Sequence, residues 1–200
     1  MVCEEIKRYE VLNNLAEKNG TVIFGGTEDK YIPLCELKQA FEIEALLYNR
    51  SIDNLSVDNA VDVYNDCIAQ LNPQCIILHI GSADLEKFIE NPAKFDNKYR
   101  ELITHIKNMD KYCNLVVVSL KNPEELDSIS EINKHLKIIA ESERCEFIDI
   151  ATKRVWNPSG TREIISFVYS TGFVHPLKNK RPVYDLVKIL FCSMPVVSWL

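Results

Sequence analysis

Apolar residues recur along the 200-residue chain in two rhythms, one helical and one continuous. Ile6, Tyr9, Leu12 and Leu15 fall at helical spacing and predict a helix over 4–18, which Asn19-Gly20 stops. Thr21 to Phe24 then reads as a short buried strand, and residues 33–41 as a helix entered after Pro33. The segment 42–52, "EIEALLYNRSI", is strand-like without a clean period. Val57, Val61, Tyr64, Ile68 and Leu71 share one face of a predicted helix over 57–71, with Asp58 in its first turn, where a carboxylate suits the helix dipole. "CIILHIGS" (75–82) and "NLVVVSL" (114–120) are the apolar runs expected of strands covered on both faces. Helices are predicted over 95–109 and 127–142, the latter aligning Ile129, Ile132, Leu136 and Ile139. "EFIDI" (146–150) is a last strand, 151–176 is loop-rich, and 180–191 closes as a helix.

Strands alternating with helices of this length imply β-α-β units and a parallel sheet. The expectation is a three-layer α/β/α sandwich around a five-stranded parallel sheet of flavodoxin-like kind. Residues 1–200 form one domain in this reading, with 1–19 as an N-terminal helix and 192–200 as a tail packed on it. Ligands in such sheets bind beyond the carboxyl ends of the strands. That places Gly25-Gly26, Ser51-Ile52, Gly81-Ser82 and Ser119 along one candidate edge.

Composition narrows the function classes. Hydrophobic residues make up 46% and charged residues 26%, the globular range, with a net charge of -6. No basic block tracks phosphates, so nucleic acid is not an expected partner, and Lys178 to Arg181 reads as a solvated segment. The N-terminus lacks the apolar stretch of a signal peptide and no apolar run reaches membrane-spanning length. Pro195 interrupts the apolar tail "FCSMPVVSWL". The seven cysteines, Cys3, Cys35, Cys67, Cys75, Cys113, Cys145 and Cys192, are scattered and read as reduced core thiols of a cytoplasmic protein. Their spacing does not suggest zinc. Neither the P-loop nor the dinucleotide fingerprint occurs, and no cofactor or metal is expected.

Four segments carry the candidate chemistry: "VIFGGTED" (22–29), "YNRSIDNLS" (48–56), "LHIGSADL" (78–85) and "STGFVHP" (170–176). In order and spacing they resemble the SGNH, or GDSL-type, hydrolases, a family of esterases and acylhydrolases. "ISEINKHL" (129–136) and "FIDI" (147–150) fit the same resemblance, which spans nearly the whole chain. The resemblance implies a serine nucleophile, a histidine base oriented by an aspartate, and an oxyanion hole of backbone N–H groups plus an asparagine side chain.

This chain departs from that pattern block by block. Thr27 stands at the nucleophile position after Gly26, and its methyl stiffens χ1. Asn54 falls on the oxyanion glycine. In the third block, Gly81-Ser82-Ala83-Asp84, Ala83 replaces the asparagine donor. His175 matches the histidine, but Gly172 or Thr171 stands where the aspartate belongs. Losing one oxyanion donor costs about 10²–10³ in turnover, and losing the triad carboxylate roughly 10⁴.

The resemblance therefore implies one of two functions. One is an SGNH-fold protein with a degenerate site, weak or inactive as an esterase and used to bind a ligand or partner. The other is an esterase acting on short acyl or acetylated sugar esters through Thr27 and His175. A small ester or carbohydrate-like molecule is the ligand class in either case, with no membrane partner. Glu28, Asp29, Asp84 and Thr171 are auxiliary candidates, with Asp53 a further acidic group; the carboxylates near the mouth read first as surface caps. Ser82 offers a hydroxyl to the hole. His79 reads as a satisfied core histidine, and His105 and His135 as plain surface groups. Trp156 and Phe173 either line a pocket or close the core.

Overall fold

The apolar runs form strands because each lies between helices that cover it. In the computed structural model, which describes residues 2–122, 126–150 and 182–192, β1 (Thr21–Gly25), β2 (Leu47–Asn49), β3 (Cys75–His79), β4 (Asn114–Val118) and β5 (Glu146–Ile148) pair in parallel. Their order is β2-β1-β3-β4-β5. The chain thus reverses direction of growth between β1 and β3, the place where this topology opens a crevice at the carboxyl edge.

Helices α1 (Val2–Asn13), α2 (Leu34–Ala40), α3 (Ala60–Cys67), α4 (Leu85–Glu90), α5 (Pro92–Met109), α6 (Asp127–Ser142) and α7 (Pro182–Cys192) complete the described elements. Alternation along each strand sends side chains to two separate cores. Val22, Phe24, Ile76, Leu78 and Val117 pack with Tyr64, Tyr99, Ile103 and Leu136 of α3, α5 and α6. Ile23, Ile77, Val116 and Ile148 pack with Leu37 of α2 and Leu186, Val187 and Leu190 of α7. This is the three-layer α/β/α sandwich expected from the pattern.

Several boundaries differ for physical reasons. α1 ends at Asn13, and Leu12 and Leu15 are 42% and 82% exposed rather than core. Polar contacts anchor the helix end instead: Asn13 Nδ2 donates to the Cys67 carbonyl at 2.8 Å, and its Oδ1 accepts from Arg50. α3 starts three residues later than periodicity predicts, because the Val57 N–H donates to Asp84 at 3.0 Å. Asp58 precedes the helix and pairs with Lys87 Nζ at 2.7 Å. Asn72, at φ +47, closes the 3-10 turn that leads into β3. α5 begins early, at Pro92, with Asn91 Oδ1 accepting from Lys94 N–H at 3.0 Å. Cys67, Cys75 and Cys113 are buried and Cys145 half-buried, but Cys35 is exposed, unlike the expected core thiol. The stretch 151–181, with the Lys178–Arg181 segment, and the 193–200 part of the tail lie outside the described residues. No described helix is long and apolar enough to cross a membrane.

Candidate active site

Strand β1 stops at Gly25 because the next space is already filled. A Cβ on Gly25 would lie 1.9 Å from Asp29 Oδ2, so only glycine admits the Asp29 carboxylate over the strand end. Gly26 N–H donates to that carboxylate at 3.2 Å, and a 3-10 turn over Thr27–Tyr31 follows. The turn leaves Thr27 and Glu28 exposed at the carboxyl edge and returns Asp29 to the interior, 1% exposed.

Thr27 meets the second block. Its Oγ1 accepts from the Asn54 N–H at 2.9 Å. Asn54 has φ +51, in the left-handed region that asparagine tolerates better than most residues. The sequence placed these two residues in one site, and the fold brings them into hydrogen-bond contact. Their loop is held from outside: Lys30 bridges Glu5 of α1 and Asp53, and Asp53 N–H points at Glu5 Oε2, 3.4 Å away. Asp53 is thus a structural partner of Lys30.

The third block turns at Gly81, whose φ of +134 excludes side chains, and runs into a 3-10 turn over Ser82–Asp84. Ser82 and Ala83 are exposed, and the Ala83 methyl has no hydrogen to donate. Asp84 faces inward, fully buried. It accepts from the Ser56 hydroxyl and from Val57 N–H, pinning the second block to the third. Burial pushes its carboxyl above the usual range, against the lowering pull of those hydrogen bonds. Asp29 and Asp84 are therefore not surface caps; of the expected cap residues Glu28 is the exposed one. At the end of β4, Asn133 of α6 brackets Leu120, accepting from its N–H at 2.7 Å and donating to its carbonyl at 2.9 Å.

His79, the last residue of β3, lies opposite Gly25 in the sheet register. Its Nδ1 sits 2.9 and 2.8 Å from the two Asp29 oxygens, and its ring packs edge-on against Phe191 of α7. It is a core histidine, 5% exposed, but only half satisfied: Nε2 is buried and has no partner among the described residues. His105 and His135 are not plain surface groups. His135 Nδ1 pairs with Asp96 at 2.9 Å over the Phe88 ring, and His105 Nε2 meets Asn65 Oδ1 at 2.7 Å beside Tyr64.

A cavity of about 90 Å³ opens among Glu28, His79, Ser82, Leu85, Leu120, Lys121 and Ile129. It adjoins the β1/β3 crevice, since Glu28 follows β1 and His79 ends β3. His175, Thr171, Trp156 and Phe173 lie outside the described residues. No group of three or more metal-ligating side chains occurs among the described residues. Sequence reasoning missed the Asp29–His79 pair and the Ser56–Asp84 clamp. The double glycine was a signal for the first, since a strand-end glycine marks a close approach; the second had no local signal.

No protein-family profile matches the sequence, and no curated protein is similar to it at the level of sequence. Solved structures are similar in fold. A protein from Streptococcus pneumonia, provisionally described as a platelet activating factor, superposes with a TM-score of 0.67 at 16% identity, covering 95% of this chain and 92% of its own. Axe2, an acetylxylan esterase from Geobacillus stearothermophilus, gives 0.55 at 16% identity over 88% and 94%. A GDSL-like lipase from Bacteroides thetaiotaomicron gives 0.52 at 16% over 94% and 95%.

Proposed function

We propose that this chain, whose fold is of the SGNH/GDSL hydrolase type, is a ligand-binding domain built on a degenerate esterase site, with a small ester or carbohydrate-like molecule as its ligand. One observation carries the reading. The Asn54 N–H, the donor the second block supplies to an oxyanion, is spent on Thr27 Oγ1 at 2.9 Å, and Ala83 has no side-chain donor where the third block calls for an asparagine. An oxyanion forming at Thr27 would compete for the first donor and lack the last. Each missing donor costs about 10²–10³ in turnover. The cavity beside the turn remains, so binding outlives the chemistry.

The second reading is an active esterase in which Thr27 attacks the acyl carbon and His175 takes its proton. The exposure of Thr27 at the carboxyl edge favours it. Hydrolysis of short acyl esters and acetylated sugars by the purified protein, with Thr27→Ala and His175→Ala in parallel, separates the two. The binding reading expects all three proteins to match the buffer blank. Turnover by the wild type that both variants lose overturns it in favour of the esterase.

A further inference from the structure

Helix α1 grips the segment after β2 along one stripe. Glu5, Tyr9 and Asn13 stand four residues apart, on one face of the helix. Asn13 Oδ1 accepts from Arg50, the Tyr9 hydroxyl donates to the Ser51 carbonyl at 2.7 Å, and Glu5 meets Lys30, which also holds Asp53. Apolar attachment is slight by comparison. Ile6 and Tyr9 are only partly buried, and Val11 and Leu12 are 63% and 42% exposed. Elements with few buried apolar contacts open most readily, so α1 lies on the core as a strap.

Lys30 connects that strap to the site. Side chains three residues apart eclipse one another in a 3-10 turn, so Thr27 and Lys30 share a face of the Thr27–Tyr31 turn. They hold consecutive residues of one loop: Thr27 Oγ1 accepts from the Asn54 N–H at 2.9 Å, and Lys30 Nζ donates to Asp53. The Lys30, Glu5 and Asp53 side chains are only 18%, 16% and 20% exposed, so salt screens their charges poorly. Without the cation, Glu5 and Asp53 would face each other as two carboxylates and repel. Farther along, the loop is fixed independently by the Val57 N–H on Asp84. Movement on losing Lys30 therefore concentrates at Asp53 and Asn54, whose left-handed backbone, φ +51, needs restraint. Resting on the ligand-binding reading above, we propose that α1 is an autoinhibitory strap, with Lys30 as its positioning residue. Through Glu5, Lys30 and Asp53 it keeps the Asn54 N–H on Thr27 Oγ1 and away from a ligand's carbonyl oxygen. Releasing the strap frees that donor, and the cleft then recognises an acyl carbonyl that it otherwise ignores.

The test compares Lys30→Met, which keeps the aliphatic stem and removes the charge, with Lys30→Arg, which keeps the charge, in the full chain. Glu5→Gln is the second route to release, since it neutralises the α1 partner without leaving two carboxylates face to face. Thermal unfolding checks that each variant is folded. The Asn54 amide proton reports the contact in ¹H–¹⁵N spectra, with the Val57 amide as internal control. Ligand preference is read with two probes of similar size: hexan-3-one, a carbonyl acceptor that cannot be hydrolysed, and butyl methyl ether, which has no carbonyl. Lys30→Met is expected to move the Asn54 proton upfield, steepen its temperature coefficient and leave Val57 unchanged. It is also expected to bind the ketone about fivefold more tightly than the ether, the worth of one hydrogen bond between neutral groups. Glu5→Gln is expected to shift Asn54 in the same direction, and wild type and Lys30→Arg to show neither shift nor preference. An unmoved Asn54 proton or no ketone preference in folded Lys30→Met overturns the inference. So does an equal preference in the wild type, or a Lys30→Arg that behaves like Lys30→Met. Ester turnover by the wild type would overturn the binding reading instead, while the Asn54 resonance still decides the strap separately.

Discussion

Asn54 donates its backbone N–H to Thr27 Oγ1 across 2.9 Å, and it does so from a left-handed conformation at φ +51. The contact therefore depends on a backbone that most side chains resist. Asn54→Gly is expected to keep both fold and contact. Asn54→Val is expected to destabilise by about 1–2 kcal/mol and to release the Thr27 hydroxyl. Urea unfolding of the two variants checks this; equal stability would show that the loop, not the residue, fixes the turn.

Gly25 and Gly26 are adjacent but differ in what surrounds them. A Cβ at position 25 meets Asp29 Oδ2 at 1.9 Å, whereas one at 26 meets Ser82 Oγ at 3.4 Å from an extended backbone. Gly25→Ala is expected to cost about 1–3 kcal/mol and to break the Asp29–His79 contact. Gly26→Ala is expected to leave stability within about 0.5 kcal/mol. Thermal unfolding with His79 ¹⁵N shifts distinguishes them, and a tolerated Gly25→Ala would place Asp29 elsewhere.

Arg50 is a buried cation, 5% exposed, with Asn13 Oδ1 accepting at 2.9 and 2.7 Å and the Tyr9 and Tyr48 rings 5.0 and 5.5 Å from its guanidinium carbon. Hydrogen bonds to charged groups contribute about 1.5–3 kcal/mol, so Asn13→Ala is expected to lose that much and to loosen α1. Hydrogen exchange should show faster opening of the α1 amides than of α5. Unchanged α1 protection would mean that Ile6 and Tyr9 packing suffices.

Burial raises the Asp84 carboxyl above its ordinary value. The folded chain then holds this proton more tightly than the unfolded chain. Its contribution favours folding below the unfolded value, near 3.8, and is lost as pH rises through the folded value. The stability of the wild type relative to Asp84→Asn is therefore expected to fall as pH rises through that window. Urea midpoints for both proteins across the window check the sign; a difference that grows with pH would mean the hydrogen bonds from Ser56 and Val57 outweigh desolvation.

The sequence by itself determined the layers. The strand cores and the Ile132-Leu136-Ile139 face of α6 are dictated by local periodicity, which reports burial directly, and all three of those α6 residues are fully buried. It also determined that the strand ends at Gly25-Gly26 and Ser51-Ile52 share one edge, because strand ends in a parallel sheet converge there; the resemblance of the two blocks to the SGNH pattern singles out Thr27 and Asn54 on it. Tertiary structure alone decided the rest. Leu12 and Leu15 keep the helical rhythm yet face solvent, since Asn13 and Arg50 anchor α1 through polar contacts from other elements. Asp29 and Asp84 read as surface carboxylates because both stand in turns just past a strand end, next to the mouth; the partners that bury them, His79 and Ser56, lie 50 and 28 residues away. A charge is admitted to the interior only by a partner that arrives through folding, and no local pattern records that arrival.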